Sequence, residues 1–334
     1  MSANAPAASK RFLITGAKGF IGSWIVKSLL ERGDRPFVFD VDPRSDRLEA
    51  ILSKDEVAGL KFVQGDVTRF EDVDRACADH CITHVLHLAG IQVPGCAADP
   101  PRGARVNVIG TLHVFEAARK QPHQVKRIVY ASSAAVFGPE EFYGSTTVLE
   151  GAALLPGTHY GVFKQCNEGN ARVYFQNDGI SSVGVRPWAV YGVGRDQGIT
   201  SGPTKAIKAV IIGRPYTLHF TGSTDLQYVR DIAEIFIRCA ESEIPGAKVY
   251  TPRGCVVRMD EFLSTLAKLL PASRHLIRAE GKPLPIAADL DDSALQHDLG
   301  RVPRTSLEDG IRETAEIFQR LHQAGRLDTH DLES

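Results

Sequence analysis

Arg11-Phe12-Leu13-Ile14-Thr15-Gly16-Ala17-Lys18-Gly19-Phe20-Ile21-Gly22 constrains the fold more than any other stretch of this chain. An apolar run breaks into three spaced glycines and resumes with helical periodicity, so it reads as strand, phosphate loop and helix. The spacing answers a demand for close backbone approach. Gly16 takes a turn closed to side chains, Gly19 leaves room for a pyrophosphate, and Gly22 lets the helix lie on the strand. The N–H groups of Phe20, Ile21 and Gly22 open the helix, where free donors meet a phosphate. An ordinary strand-to-helix turn suits three such glycines as well, and context separates the two. Trp24, Ile25, Leu29 and Leu30 continue an apolar face and Gly33 ends it. Phe37-Val38-Phe39-Asp40 then supplies a second strand ending in a carboxylate, where a ribose acceptor belongs.

The first half goes on alternating strand and helix, the pattern of a doubly wound parallel α/β sheet of Rossmann type. Leu60 to Val67 predicts a third strand, whose terminal Asp66-Val67 offers a carboxylate to an adenine amino group or a cap to the helix after Thr68. Ile82 to Gly90 suits a central strand, and Leu88, Ala89 and Gly90 at its end let a cofactor ribose lie against the backbone. A helix is expected from about Pro101 to Lys120, in which Val106 and Val108 imply burial of Asn107, an amide that then needs partners. Arg127 to Ser132 makes a fifth strand, leading into Ser133-Ala134-Ala135. Tyr160 and Lys164 open a helix to about Asp178, and residues four apart share a face. A buried cation beside a phenol lowers the phenol's pKa, which lets tyrosine exchange a proton with an alcohol near neutral pH. Ser181 to Gly192 predicts a sixth strand, after which the alternation loosens.

Charge narrows the partners. With 39 Lys and Arg against 40 Asp and Glu, the chain has no broad attraction for nucleic acid or an anionic membrane, and a small molecule is the expected partner. The six cysteines are scattered, and Cys77 and Cys81 lack a second pair or nearby histidines, so free thiols and no metal site are expected. Residues 1–9 read as a disordered tail rather than a signal peptide. No stretch is apolar enough to span a bilayer, and a cytoplasmic location is expected.

Taken together, Thr15-Gly-x-x-Gly-x-x-Gly22, Asp66-Val67, His87-Leu-Ala-Gly90, Asn107-Val-Ile-Gly-Thr111, Ser132-Ser133, Tyr160-x-x-x-Lys164 and Arg186-x-x-x-Val-Tyr-Gly192 resemble one family. It is the extended branch of the short-chain dehydrogenase/reductases, the epimerase/dehydratase family of the UDP-galactose 4-epimerase-like kind. The resemblance implies a Rossmann-type domain over residues 10–187 and 226–251, and a smaller α/β substrate domain over 188–225 and 252–328. It also implies that NAD is held by Gly16, Gly19, Phe20, Ile21, Gly22, Asp40, Asp66, Val67, Leu88, Ala89, Gly90, Asn107, Tyr160, Lys164 and Pro187. Ser133 would hold the substrate oxygen, Tyr160 would be the general acid/base, and Lys164 would tune Tyr160 and hold the nicotinamide ribose. His87 is structural. A homodimer would pair helices near Arg102–Lys120 and Tyr160–Asp178. Asp40 favours NAD over NADP, because it repels a 2′-phosphate, with Arg44 the opposing charge.

Departures from the family pattern bear on the reaction. Ala134-Ala135 replaces the Asp-Glu pair of the dehydratases, so elimination lacks its acid and base. Ala189 and Thr224 stand where nucleotide-sugar epimerases keep an Asn and an Arg for diphosphate. Hydride transfer at a secondary alcohol of a small sugar, sugar acid or hydroxy acid follows. A nucleotide-sugar 4-epimerase and a non-catalytic NAD(P) sensor are the alternatives. Gln92 lies where some epimerases carry a lysine, Ser133 and Trp188 border the substrate, and Arg186 and Arg195 either grip a carboxylate or serve a structural partner.

Overall fold

The computed structural model describes residues 10–144 and 147–333, so the expected tail at residues 1–9 lies outside the described residues. The apolar runs form seven strands: β1 (Phe12–Thr15), β2 (Phe37–Asp40), β3 (Lys61–Gln64), β4 (His84–His87), β5 (Arg127–Ala131), β6 (Ser182–Val185) and, later in the chain, β9 (Ala247–Tyr250). They form one parallel sheet in the order β9-β6-β5-β4-β1-β2-β3. Ile14 of β1 pairs with Leu86 of β4 on one side and Val38 of β2 on the other. The strand order reverses between β1 and β4, and an open α/β sheet binds ligands in the crevice at such a point.

Strands β1, β2, β4 and β5 are apolar on both faces because helices cover both, whereas the edge strand β3 is largely exposed. Phe12, Ile14, Leu86 and Val129 belong to one core, and their chain neighbours Leu13, Val85 and Ile128 to a second. Helix α1 (Phe20–Glu31) buries Trp24, Ile25 and Leu29 completely in the first core. Each stabilises the fold by about 1.5–3 kcal/mol relative to exposure. The helices α2 (Pro100–Ala104), α3 (Gly110–Lys120), α4 (His159–Asp178) and α5 (Val229–Glu241) follow in chain order; α5 packs on α1, while α3 packs on α4.

Several sequence expectations change. The sixth strand splits: Arg186-Pro187-Trp188 interrupts it, and Ala189–Tyr191 leaves the main sheet as β7. Proline has no N–H for the ladder, so the chain can change sheets there. Strand β8 (Ser223–Tyr228) pairs parallel with β7 and antiparallel with β10 (Cys255–Arg258), so residues 226–228 stand in the small sheet and not the large one. The long helix from Pro101 is interrupted by a π-turn at Arg105–Ile109. The carbonyl of Asn107 accepts from Thr111 Oγ1 at 2.7 Å and Asn167 Nδ2 at 2.8 Å, side-chain bonds that hold open a wider turn.

Candidate active site

Gly16 has a left-handed φ of 67°, and a Cβ there would lie 2.6 Å from Ala89 N and 2.8 Å from Leu88 C. A Cβ on Gly22 would lie 2.3 Å from Gly16 O. β1, β4 and α1 therefore meet backbone to backbone. Gly19 is the N-cap of α1 and no side chain caps the helix, which leaves its first N–H groups for an anion. These features fit a dinucleotide's pyrophosphate.

Asp40 ends β2 beside this loop. Its Oδ2 accepts from Lys18 N at 2.9 Å and its Oδ1 from Asp42 N at 3.1 Å, which leaves lone pairs on both oxygens. The two nearby cations are occupied: Lys18 Nζ donates to the carbonyls of Asp42 and Pro43, and Arg44 pairs with the Asp42 carboxylate at 3.1 Å. Asp66 Oδ1 accepts from Thr68 N at 2.8 Å, a bond in the turn ahead of the helix that starts at Phe70, which no side chain caps, while Val67 O accepts from His113 Nδ1.

Asn107 is engaged by the protein itself. Its Oδ1 accepts from Ile91 N and its Nδ2 donates to Ile91 O, both at 3.0 Å, so its amide fixes the segment after β4 from beneath. His87 is likewise structural. Its Nδ1 faces Thr15 Oγ1 at 2.6 Å and its Nε2 faces Thr111 Oγ1 at 3.0 Å. Thr111 gives its own proton to Asn107 O, so His87 Nε2 carries the hydrogen. Burial pushes this imidazole down to about 3.

Ser133 follows β5 and caps a short turn, its Oγ accepting from Ala135 N at 3.1 Å. Thr158 caps α4, and a Cβ on Gly161 would lie 2.2 Å from Ala135 O. That contact seats the start of α4 on the Ser133 turn and brings Tyr160 into the same cleft as the Ser133 hydroxyl. Lys164, one turn on, is buried; its Nζ donates to Ala131 O at 2.6 Å and lies 5.4 Å from the Tyr160 ring centroid.

The titration of the pair differs from the sequence expectation. Burial raises the Tyr160 phenol above its ordinary value, against the lowering effects of the Ser133 hydroxyl and Arg195. Lys164 does not reverse this, because its amine is committed to a carbonyl and burial brings it down to about 8. The phenol therefore holds its proton at neutral pH.

Gly16, Gly19, Phe20, Leu88, Gly90 and Pro187 share one cleft with Ser133, Tyr160 and Lys164. Gln92, Trp188 and Arg195 also line it. Trp188 presents only ring, since its Nε1 donates to Ala287 O and its N to Gln227 Oε1. Arg186 has a structural partner: it is buried, grips Glu168 through Nε at 2.8 Å and Nη2 at 2.7 Å, and donates to Glu150 O. Glu168 also accepts from Ser132 Oγ. Ala135 lines the cleft at the position where a dehydratase needs an acid, and among the described residues no carboxylate lines it.

Sequence reasoning passed over Ile91, Gly198 and Thr200, which complete the wall around Arg195. Their signal lay in the two glycines flanking Arg195-Asp196-Gln197, Gly194 and Gly198, with φ of 97° and 91°.

The model of the NAD dependent epimerase/dehydratase family matches residues 12–251. The chain belongs to this family. NAD is the family's cofactor, and its members of this fold are enzymes of the short-chain dehydrogenase/reductase type, as the motifs imply. The chain is 29% identical to a UDP-glucose 4-epimerase of Mycolicibacterium smegmatis over 94% of its own length and 100% of the relative's. The NAD complex of Thermus thermophilus UDP-glucose 4-epimerase superposes with a TM-score of 0.77 at 28% identity, covering 92% of this chain and 99% of that one. A partial-consensus L-threonine 3-dehydrogenase superposes with a TM-score of 0.81 at 24% identity, over 93% and 99%, and so shares the fold. Among the described residues no helix is long and apolar enough to cross a membrane.

Proposed function

We propose that this member of the family is an NAD-dependent dehydrogenase/reductase that transfers hydride at a secondary alcohol or ketone of a small carbohydrate-like substrate. The observation that carries the reading is a cleft holding Ser133, Tyr160 and Lys164 with no carboxylate on its walls among the described residues. Proton exchange with an alcohol needs the first set, and elimination needs acids that the second condition denies. Ala189 and Thr224 are fully buried in the small sheet, so neither offers a diphosphate a side chain.

In this reading α1 and the glycine loop bind the pyrophosphate, Asp40 holds a ribose hydroxyl, and Lys164 holds the nicotinamide ribose. When bound, NAD supplies the hydride acceptor, and in the reverse direction its reduced form the donor. Ser133 Oγ orients the substrate oxygen and Tyr160 Oη takes or returns its proton. Trp188 and Ile286 wall the cleft and keep water from the reacting carbon.

A second reading, nucleotide-sugar 4-epimerase, is favoured by the relatives' names. One screen separates the two. Reduction of NAD and of NADP is followed across free sugars, sugar acids and hydroxy acids, beside calorimetry with UDP and UDP-hexoses. The expected result is NAD-dependent turnover of a free substrate and weak UDP binding. Tight UDP binding with interconversion of 4-epimers overturns the dehydrogenase reading, and no turnover of any kind would favour the sensor.

A homodimer fits the surface of the same helices. Val162 and Val173, which share one face of α4, are both 47% exposed, and Ile109, preceding α3, is 41% exposed. These apolar side chains would be covered by a second copy across a two-fold axis. Light scattering is expected to give twice the chain mass, and a monomer in dilute solution would refute the pairing.

A further inference from the structure

Arg195 is the one guanidinium that lines the cleft among the described residues; it is half-buried, and its Nε is buried with no hydrogen-bond partner. It sits on the connection after β7. Trp24 Nε1 donates to Val193 O at 2.9 Å, Arg47 Nε donates to Gly194 O at 3.1 Å, and Arg47 Nη2 reaches both oxygens of Asp196 at 2.8 Å. The backbone is thus fixed on both sides of Arg195, and the neighbouring carboxylate is committed to Arg47. The guanidinium lies 5.8 Å from the Phe20 ring centroid. Its Nη2 donates to Thr200 Oγ1 at 2.7 Å, and its Nη1 reaches Gln92 Oε1 at 3.5 Å. Both hydrogen-bond partners are neutral, and Nε is buried with no partner.

A guanidinium has five N–H donors, and a buried donor left unmet, as Nε is here, costs free energy. The surroundings look built to keep this one in place. A Cβ on Gly198 would lie 2.2 Å from Gln92 Oε1 and 3.1 Å from Arg195 Nη2, so only glycine leaves the pair undisturbed. Lys164, the other cation of the cleft, is bonded to Ala131 O.

We propose that Arg195, flanked by Gln92 and Thr200, is the receptor for a carboxylate on the substrate. This rests on the dehydrogenase reading above and narrows it to a sugar acid or other polyhydroxy acid. A planar fork of donors matches a carboxylate in two-point contact, which orients the carbon chain as well as attracting it. Binding the acid group in the same cleft as Ser133 and Tyr160 holds the carbinol where the phenol can reach its proton. The cofactor's diphosphate is the competing anion. The open N-terminus of α1 already serves it, whereas Arg195, bonded to Gln92 and Thr200, lines the same cleft as Ser133 and Tyr160.

The test compares D-gluconate with D-sorbitol, which differ only by a carboxylate in place of a hydroxymethyl group, by calorimetry on the NADH-loaded protein. Charge-assisted bonds of this kind correspond to about 10–100-fold in affinity. Gluconate is expected to bind at least about tenfold tighter than sorbitol. Arg195→Met, which keeps the aliphatic stem over Phe20, should abolish the preference, Arg195→Lys should restore part of it, and NADH affinity should stay constant in both. Equal or undetectable binding of the two probes to the unaltered protein overturns the assignment, as does a preference that survives Arg195→Met. Loss of NADH affinity in the Met variant would assign the guanidinium to the diphosphate instead. Oxidation of sorbitol as fast as gluconate would remove this subsite but leave the dehydrogenase reading. Interconversion of UDP-hexoses would remove that reading itself.

Discussion

Tyr160→Phe is expected to lower kcat for alcohol oxidation by about 10²- to 10⁴-fold, the usual contribution of a positioned acid/base. NAD affinity should change by less than about twofold, because the ring and its packing against Lys164 remain and only Oη is removed. The pH profile supplies a second reading of the same residue. Oxidation needs the phenolate to accept the carbinol proton, and burial raises the phenol above its ordinary value, so the base form is scarce at neutral pH. The rate in the unaltered protein should therefore climb with pH, about tenfold per unit below the phenol's pKa, while the residual rate of the Phe variant stays flat. Ketone reduction uses the protonated phenol and should lack that ascending limb. A Phe variant that keeps its turnover would exclude Tyr160 as the proton carrier.

The contrast between Tyr160 and Gly16 shows what a sequence can display. Gly16 and Gly22 were legible because backbones meeting at 2.3–2.8 Å from a hypothetical Cβ admit only glycine, so the spacing records the geometry directly. The inner parallel strands were legible for a similar reason: with helices on both faces, each must be apolar on both. The direction of the Tyr160 shift was not legible. It depends on whether Lys164 Nζ points at the phenol or at Ala131 O, a choice made by the end of β5, 33 residues earlier in the chain. The break at Pro187 was visible as a proline but not as a change of sheet, because β8, which receives β7, is built from residues 223–228. Asn107 was rightly expected to be buried and partnered, yet its partners, Ile91 on one side and Asn167 on the other, come from separate elements. Local pattern announces what a residue needs, whereas the fold decides who supplies it.

Arg186 makes that distinction measurable. An arginine at the entry to a substrate domain invites assignment to a ligand, but here all three of its donor nitrogens are engaged by protein: Nε and Nη2 by Glu168, Nη1 by Glu150 O. Its guanidinium also lies 5.0 Å from the Phe137 ring centroid. Arg186→Met is therefore expected to destabilise the fold by about 3–5 kcal/mol, because it strands the Glu168 carboxylate in a site only 8% exposed. Glu168→Leu on top of Arg186→Met should recover a large part of that loss, since the remaining cost is then a cavity and an unpartnered Ser132 hydroxyl rather than a buried charge. Urea unfolding of the single and double variants measures both numbers. Substrate KM supplies the independent check. If Arg186 only ties the Pro187 crossover to α4, the folded fraction of the Met variant should bind substrate with an unchanged KM. A KM rise confined to carboxylate-bearing substrates, with stability intact, would return Arg186 to the substrate and reverse the assignment made from its buried pairing.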